Sequence, residues 1–243
     1  MRRSIRRHLR FLHAYALTTT LILLAIAASG FVQSARPQNL GEITTERINI
    51  VDANGTLRLV ISNKDRMHPG VIAGKVLQRP RPYAGFIFFN DQGDEAGGLT
   101  LTGRETNGRR EADAGLMFDQ LGQDQTIGFD YEERNGKRSA AFKVWDRSDV
   151  PLGDLVDSLN RAQAIQDPVA RDAELARVRA AAPKAAQRVF VGKTSDRVAS
   201  VLLADAEGRH RLALKVEADG KASIEFLDGD GKVVRRVGPD AQR

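Results

Sequence analysis

Apolar positions fall in alternating or continuous runs of three to seven residues, and a repeated tetrad separates the runs: an acid or asparagine with glycine three residues later. The tetrads begin and end at Asp52/Gly55, Asn90/Gly93, Glu105/Gly108, Asp119/Gly122 and Glu133/Gly136, then at Asp205/Gly208, Glu217/Gly220 and Asp228/Gly231. A side-chain oxygen at the first position bonds to the backbone just ahead of it, and glycine at the fourth takes positive φ at no steric cost. Each tetrad predicts a tight hairpin. The intervening runs predict strands over 48–51, 57–61, 86–89, 99–102, 115–118, 126–131 and 139–145, then 189–191, 200–204, 211–216, 223–227 and 233–237.

Two stretches break this period. Within 150–186, Leu152, Leu155, Val156 and Leu159 recur at helical spacing, and Asp167-Pro168 supplies a cap followed by proline at the first position of a second helix. Ahead of the strands, residues 14–32 form an apolar run without charge, and the flank 1–13 carries Arg2, Arg3, Arg6, Arg7 and Arg10. As a helix rising about 1.5 Å per residue, this run approaches a hydrocarbon core of roughly 30 Å. The chain thus reads as mainly β: an N-terminal transmembrane helix, then two antiparallel β-hairpin-repeat modules, 41–149 and 187–240, joined by a helical connector over 150–186.

Charge fixes the expected orientation. No acid precedes Glu42, so the arginine flank stays in the cytoplasm, and the linker 33–40 leads to an extracytoplasmic, periplasmic domain of a single-pass inner (cytoplasmic) membrane protein. Thr18, Thr19 and Thr20 interrupt the run, and the small residues of 25–29 offer cleavage-like spacing, so secretion after signal cleavage is the alternative. The net charge of +6 mostly records this flank: five of 37 basic residues lie in it, leaving 32 against 31 acids. Nucleic acid is therefore not an expected partner. The chain has no cysteine, which removes disulfides, thiol nucleophiles, thiolate metal sites and lipoprotein-type acylation.

The block Glu46-Arg47-Ile48-Asn49-Ile50-Val51-Asp52 with Gly55 to Asn63 resembles a family of uncharacterised bacterial exported or membrane-anchored proteins. Ala84-Gly85-Phe86-Ile87-Phe88-Phe89-Asn90-Asp91-Gln92-Gly93 with Gly97-Gly98-Leu99 is similar to its second block, and Phe118-Asp119-Gln120 with Asp124-Gln125 to a third. The resemblance covers roughly 43–150 and implies a defined first domain. It implies no activity, cofactor or site.

No catalytic constellation stands out. Outside the flank only His68 and His210 occur, without metal-ligand spacing, and no G-x-S-x-G elbow is present. The Gly70 to Lys75 stretch is one residue short of a phosphate loop, and Asp228-Gly229-Asp230-Gly231 lacks the closing glutamate of a calcium loop. Neither a metal nor a cofactor is expected. Phe86, Phe88, Phe89 and Trp145 are expected in the core.

The expected binding region is the 22-residue segment 62–83, longer than the roughly 12–15 residues usual for a structureless connection. It carries Lys64, Arg66, Arg79 and Arg81, and the adjoining turn 90–98 carries Asp91, Asp94 and Glu95. The two segments either pair with each other or present a mixed-charge surface. Solvent-covering of one sheet end by Val71, Ile72 and Leu77 is the competing role. The expected function is binding or assembly outside the cytoplasm, with an envelope polymer or another envelope protein as partner. The alternative is a carbohydrate-active hydrolase using carboxylates near Asp91 and Asp119, which requires two carboxyls about 5–5.5 or 6.5–9.5 Å apart.

Overall fold

The structure, a computed structural model, describes residues 2–34 and 40–239, so most of the expected linker and residue 240 lie outside the described residues. It divides into two units, Met1–Thr44 and Thr45–Arg243. The first contains helix α1 (Arg2–Ser34), in which Ile5–Ala27 is long and apolar enough to cross a membrane. The threonines within the run are absorbed by the helix itself. Thr18 and Thr20 hydroxyls donate to the carbonyls of Ala14 and Ala16 at 2.9 Å, and Thr19 donates to Tyr15 at 3.0 Å. Such back-bonding satisfies a hydroxyl where no water is at hand. The expected span continues through 28–32, whose side chains lie outside the described residues.

All twelve expected strands form in the second unit. They are β1 (Arg47–Val51), β2 (Leu57–Ser62), β5 (Ala84–Phe89), β6 (Glu95–Thr106), β7 (Arg109–Asp119), β8 (Gln125–Arg134), β9 (Lys137–Asp146), β10 (Ala186–Lys193), β11 (Ala199–Ala204), β12 (His210–Val216), β13 (Ala222–Leu227) and β14 (Val233–Val237). Two further short strands, β3 (Val71–Ile72) and β4 (Lys75–Val76), make a separate hairpin. The twelve pair antiparallel in chain order within a single sheet. The helices α2 (Gly153–Gln163) and α3 (Pro168–Ala181) leave this sheet after β9 and return to β10, which pairs with β9. The two hairpin modules are thus successive stretches of one sheet. Asp167 caps α3 as expected, accepting from the Val169 amide at 2.8 Å, with Pro168 at the first position.

The tetrads resolve into two kinds of turn. At Asp52, Asn90, Asp205, Glu217 and Asp228 the first residue's carbonyl accepts from the amide of the glycine, and its own amide donates to the fifth residue's carbonyl. At Gly208, φ is +79°, the geometry of a type I turn closed by a glycine bulge, and the strand register shifts beside it between Leu203 and Ala204. The Glu105 and Glu133 tetrads are different. Both glutamates lie within strands, and the turns are the two-residue loops Asn107-Gly108 and Asn135-Gly136, with both central φ values positive. This is why β6 to β9 run to 10–12 residues, longer than their apolar runs suggest. The Asp119 tetrad is shifted by one residue: the Gln123 amide donates to the Gln120 carbonyl, so Gln120 opens the turn and the Asp119 side chain is left for other contacts.

The register places one row of side chains across all twelve strands: Ile48, Ile61, Phe86, Leu99, Leu116, Phe129, Phe142, Val191, Val201, Leu214, Ile224 and Val237. Every one is apolar. None is buried. The parallel row on the same face runs from Ile50 and Leu59 through Phe88, Gly97, Phe118, Ile127, Val144, Val189, Leu203, Leu212 and Phe226, and meets a charge only at Arg235. We refer to this as the open face.

The opposite face is covered at its β2–β5 end. Val60, Ile87 and Phe89 are buried there beneath Met67 and Val71, with His68 edge-on to Phe89 at 4.9 Å. Farther along, this face carries glycines, the apolar Met117, Phe190, Leu202 and Ala213, and ion pairs between strands, such as Lys143 with Asp130. Glu225 lies between Lys215 at 2.8 Å and Arg236 at 2.7 Å, and hydrogen bonding to Lys215, stronger than the opposing effect of burial, holds its carboxyl below the usual range.

Candidate functional site

The segment 62–83 is ordered by its own hairpin and by the sheet. Ala73 and Gly74 form the two-residue turn between β3 and β4 with φ of +53° and +71°, which accounts for the glycine spacing that resembled a phosphate loop. Leu77 is buried, and Val71 packs on the core below. The segment covers the sheet end while two carboxylates of the neighbouring turn hold it down.

Those carboxylates are Asp94 and Glu95. Asp94 is buried and accepts from the Gly74 amide at 2.7 Å. Glu95 takes both Arg81 guanidinium nitrogens, each at 2.7 Å, in a pair whose side chains are only 12% and 8% exposed. Gly70, at φ +101°, makes room for this pair, since a Cβ there would lie 2.6 Å from Glu95 Oε2. Of the two arrangements open to these segments, the structure therefore contains mutual pairing. Two-pronged, nearly dry arginine–carboxylate bonding is the strong form of such a contact.

The other expected residues scatter. Arg66 is exposed and sits 3.8 Å from Glu46 across the β1 start. Lys64 is exposed in the turn that follows β2. Asp91 is exposed on its turn and accepts from Arg58, which also holds Asp52 at 2.8 Å. Arg79 is exposed, yet partial desolvation by its neighbours, together with the charge of Arg81, depresses its pKa. It lines a cavity of about 520 Å³ with Pro69, Leu77, Gln78 and Asn160, where Asn160 of α2 grips the segment by accepting from the Gln78 amide at 2.9 Å and donating to the Val76 carbonyl at 2.9 Å.

Asp119 joins Glu95, Asp124, Arg81 and Arg147 at this corner. Burial, reinforced by the negative charges of Glu95 and Asp124, pushes its carboxyl up to about 7, and its Oδ1 is buried without a hydrogen-bond partner among the described residues. Asp119 and Asp91, the pair considered for hydrolysis, thus occupy different environments, one half-buried with an enclosed Oδ1 and one on an exposed turn. No group of three His, Asp or Glu side chains suited to a metal occurs among the described residues.

The aromatic expectation holds for Phe89 alone. Phe89 is buried, whereas strand alternation turns Phe86 and Phe88 to the open face, where Phe88 stacks with Phe118 across Gly97 at 6.5 Å and Phe129 meets Phe142 at 5.1 Å. Trp145 is half-buried. Toward the β14 edge the open face becomes a trough of about 550 Å³ lined by Val191, Val201, Leu214, Ile224 and Val237. Sequence reasoning missed this face because it treated hairpins singly. Turn type fixes register, so aligning the strands about their turns would have revealed one unbroken apolar row. Comparison with protein-family models and with curated proteins finds no match to this chain.

Proposed function

We propose that this protein is anchored by α1 in the cytoplasmic membrane, displays its sheet outside the cytoplasm, and works by binding or assembly through the open face. One observation carries the reading: an apolar side chain stands at every one of twelve successive strands and none is buried. Single soluble chains rarely expose apolar patches beyond about 300–600 Å², and larger ones mark contact surfaces. Strands spaced about 4.8 Å apart carry this row over roughly 50 Å, and with the second row roughly 7 Å beside it the patch reaches about 700 Å², past that limit.

The chemistry of the face selects the partner class. Hydrated polysaccharide calls for convergent hydrogen-bonding groups, which an aliphatic and aromatic surface lacks, so a protein partner in the envelope is favoured over a polymer. The arginine-rich segment is a structural cover, its key cation being held by Glu95. A carbohydrate-active hydrolase remains the rival, drawing only on the unusual state of Asp119.

Two measurements test the reading. A reporter fused at residue 45 should be active outside the cytoplasm and silent inside. The full chain, extracted in mild detergent, should migrate above its 26.6 kDa monomer and should lose that assembly on Leu214→Asp or Phe129→Asp. A cytoplasmic reporter signal, or a monomer in both wild type and variants, overturns it.

A further inference from the structure

We infer that the occupant of the open face is a second copy of this chain, packed face to face so that two single-layer sheets become one sandwich. The inference rests on the reading that the open face is a contact surface and goes further in naming what covers it.

Area comes first. Twelve strands about 4.8 Å apart, with two to three same-face side chains per strand spaced roughly 7 Å, present about 900 Å². Two copies would bury about 1,800 Å² in all, within the 1,200–2,000 Å² of stable protein interfaces. Charge comes second. A surface that meets itself must not oppose like charges, and the twelve-residue row contains no charged residue, while the rows flanking it carry Arg235 at one end and Lys193. Shape comes third. In the row beside it Phe88 and Phe118 stack across the buried Gly97, so the apolar surface continues over the glycine, and sheets pack face to face about 10 Å apart through such side-chain rows.

An acyl chain or detergent-like ligand is a poorer fit. Small-molecule sites bury 70–90% or more of the ligand, whereas an open sheet covers it from one side only. A second sheet closes both surfaces together.

Symmetry makes the inference sharp. A two-fold axis relating face-to-face sheets lies in the interface plane, and for full overlap it passes through the middle of the row, between β8 and β9. Whatever its direction in that plane, the central side chains of one copy face the central side chains of the other. Those are Phe129 and Phe142, the former 54% exposed.

The absence of native cysteine allows a clean test. The full chain bearing Phe129→Cys, treated in intact membranes with a short bis-maleimide, should form covalent dimer at least tenfold more efficiently than Glu132→Cys, which lies on the opposite face. Phe142→Cys serves as the second central variant should Phe129→Cys disturb folding. Central variants that react with a single-ended maleimide yet yield no dimer overturn the inference. So does crosslinking to a product of another mass. If the chain still migrates above monomer in those cases, the contact-surface reading survives and only the second copy is lost; a strictly monomeric chain removes both.

Discussion

The two faces of this sheet are made by the same twelve strands, yet they deal with water in different ways. On one, Val60 and Ile87 are 0% and 1% exposed because segment 62–83 folds back over them, and the remaining length mixes glycines and cross-strand ion pairs with the apolar Met117, Phe190, Leu202 and Ala213. On the other, one row of aliphatic and aromatic side chains is unbroken and its neighbour is interrupted only at Gly97 and Arg235, and five of the twelve in the central row are exposed, Phe129 most of all at 54%. A hairpin, two acids and an arginine cover the β2–β5 end of the first face within the chain. On the proposed reading, the second is covered by something outside it. Local composition alone does not distinguish them; what differs is whether the intervening loop is long enough to return across the strands.

This contrast is most easily broken at the cover. Arg81→Ala leaves Glu95 as an uncompensated charge in a nearly dry site, so a loss of about 3–5 kcal/mol is expected in chemical denaturation; a loss below about 1 kcal/mol would show that the cover does not depend on this pair. The simultaneous replacement of Lys64, Arg66, Arg79 and Arg81 by alanine is accordingly no mild surface change, because Arg81 is held in the nearly dry pair with Glu95. Next in size is the core. Ile87→Ala should cost about 2–5 kcal/mol at any protein concentration, whereas Leu214→Ala should cost less in dilute protein and show a penalty that grows with concentration, as expected for a site covered by a partner.

Smaller effects sharpen the picture. Gly208→Val places a β-branched residue at φ +79° and should lower stability by about 1–3 kcal/mol, read as a fall in melting temperature. For Asp119 the folded carboxyl sits near 7 against an ordinary 3.8. The folded state therefore holds a proton that the unfolded chain has released. Its contribution is full below about pH 4, declines as pH rises, and is gone above about 7. Asp119→Asn should flatten stability over pH 4–7 and raise it at pH 8; an unchanged pH profile would place Asp119 in water.

Much of this architecture was legible in the chain. Apolar runs punctuated by turn chemistry at residues such as Asp205 and Gly208 located the twelve strands of the large sheet, and Asp167-Pro168 located the start of α3. Asn135-Gly136 was legible as a turn but not as a two-residue one, because Glu133 suited a tetrad equally well; only pairing with Lys137 opposite Arg134 decides it. The single sheet was hidden by the helices, since no local signal tells β10 to pair with β9 across them. At the candidate site, the nearness of Glu95 to the arginines was readable, but which arginine it binds depends on the β3–β4 hairpin, whose two-residue strands are too short to carry a period. The open face needed register across twelve strands, a non-local property that each run states only in part.

If the two faces differ in what covers them, solvent access in the membrane-bound protein measures the difference directly. Single cysteines at Leu214 on the open face and at Glu132 on the other should be compared by their rates of reaction with a bulky, water-soluble maleimide in native membranes. In the isolated chain both positions are exposed, Leu214 by 40%. Leu214→Cys is expected to react at least tenfold more slowly than Glu132→Cys in membranes, and dilution in detergent is expected to abolish the difference. Equal rates in native membranes would contradict it.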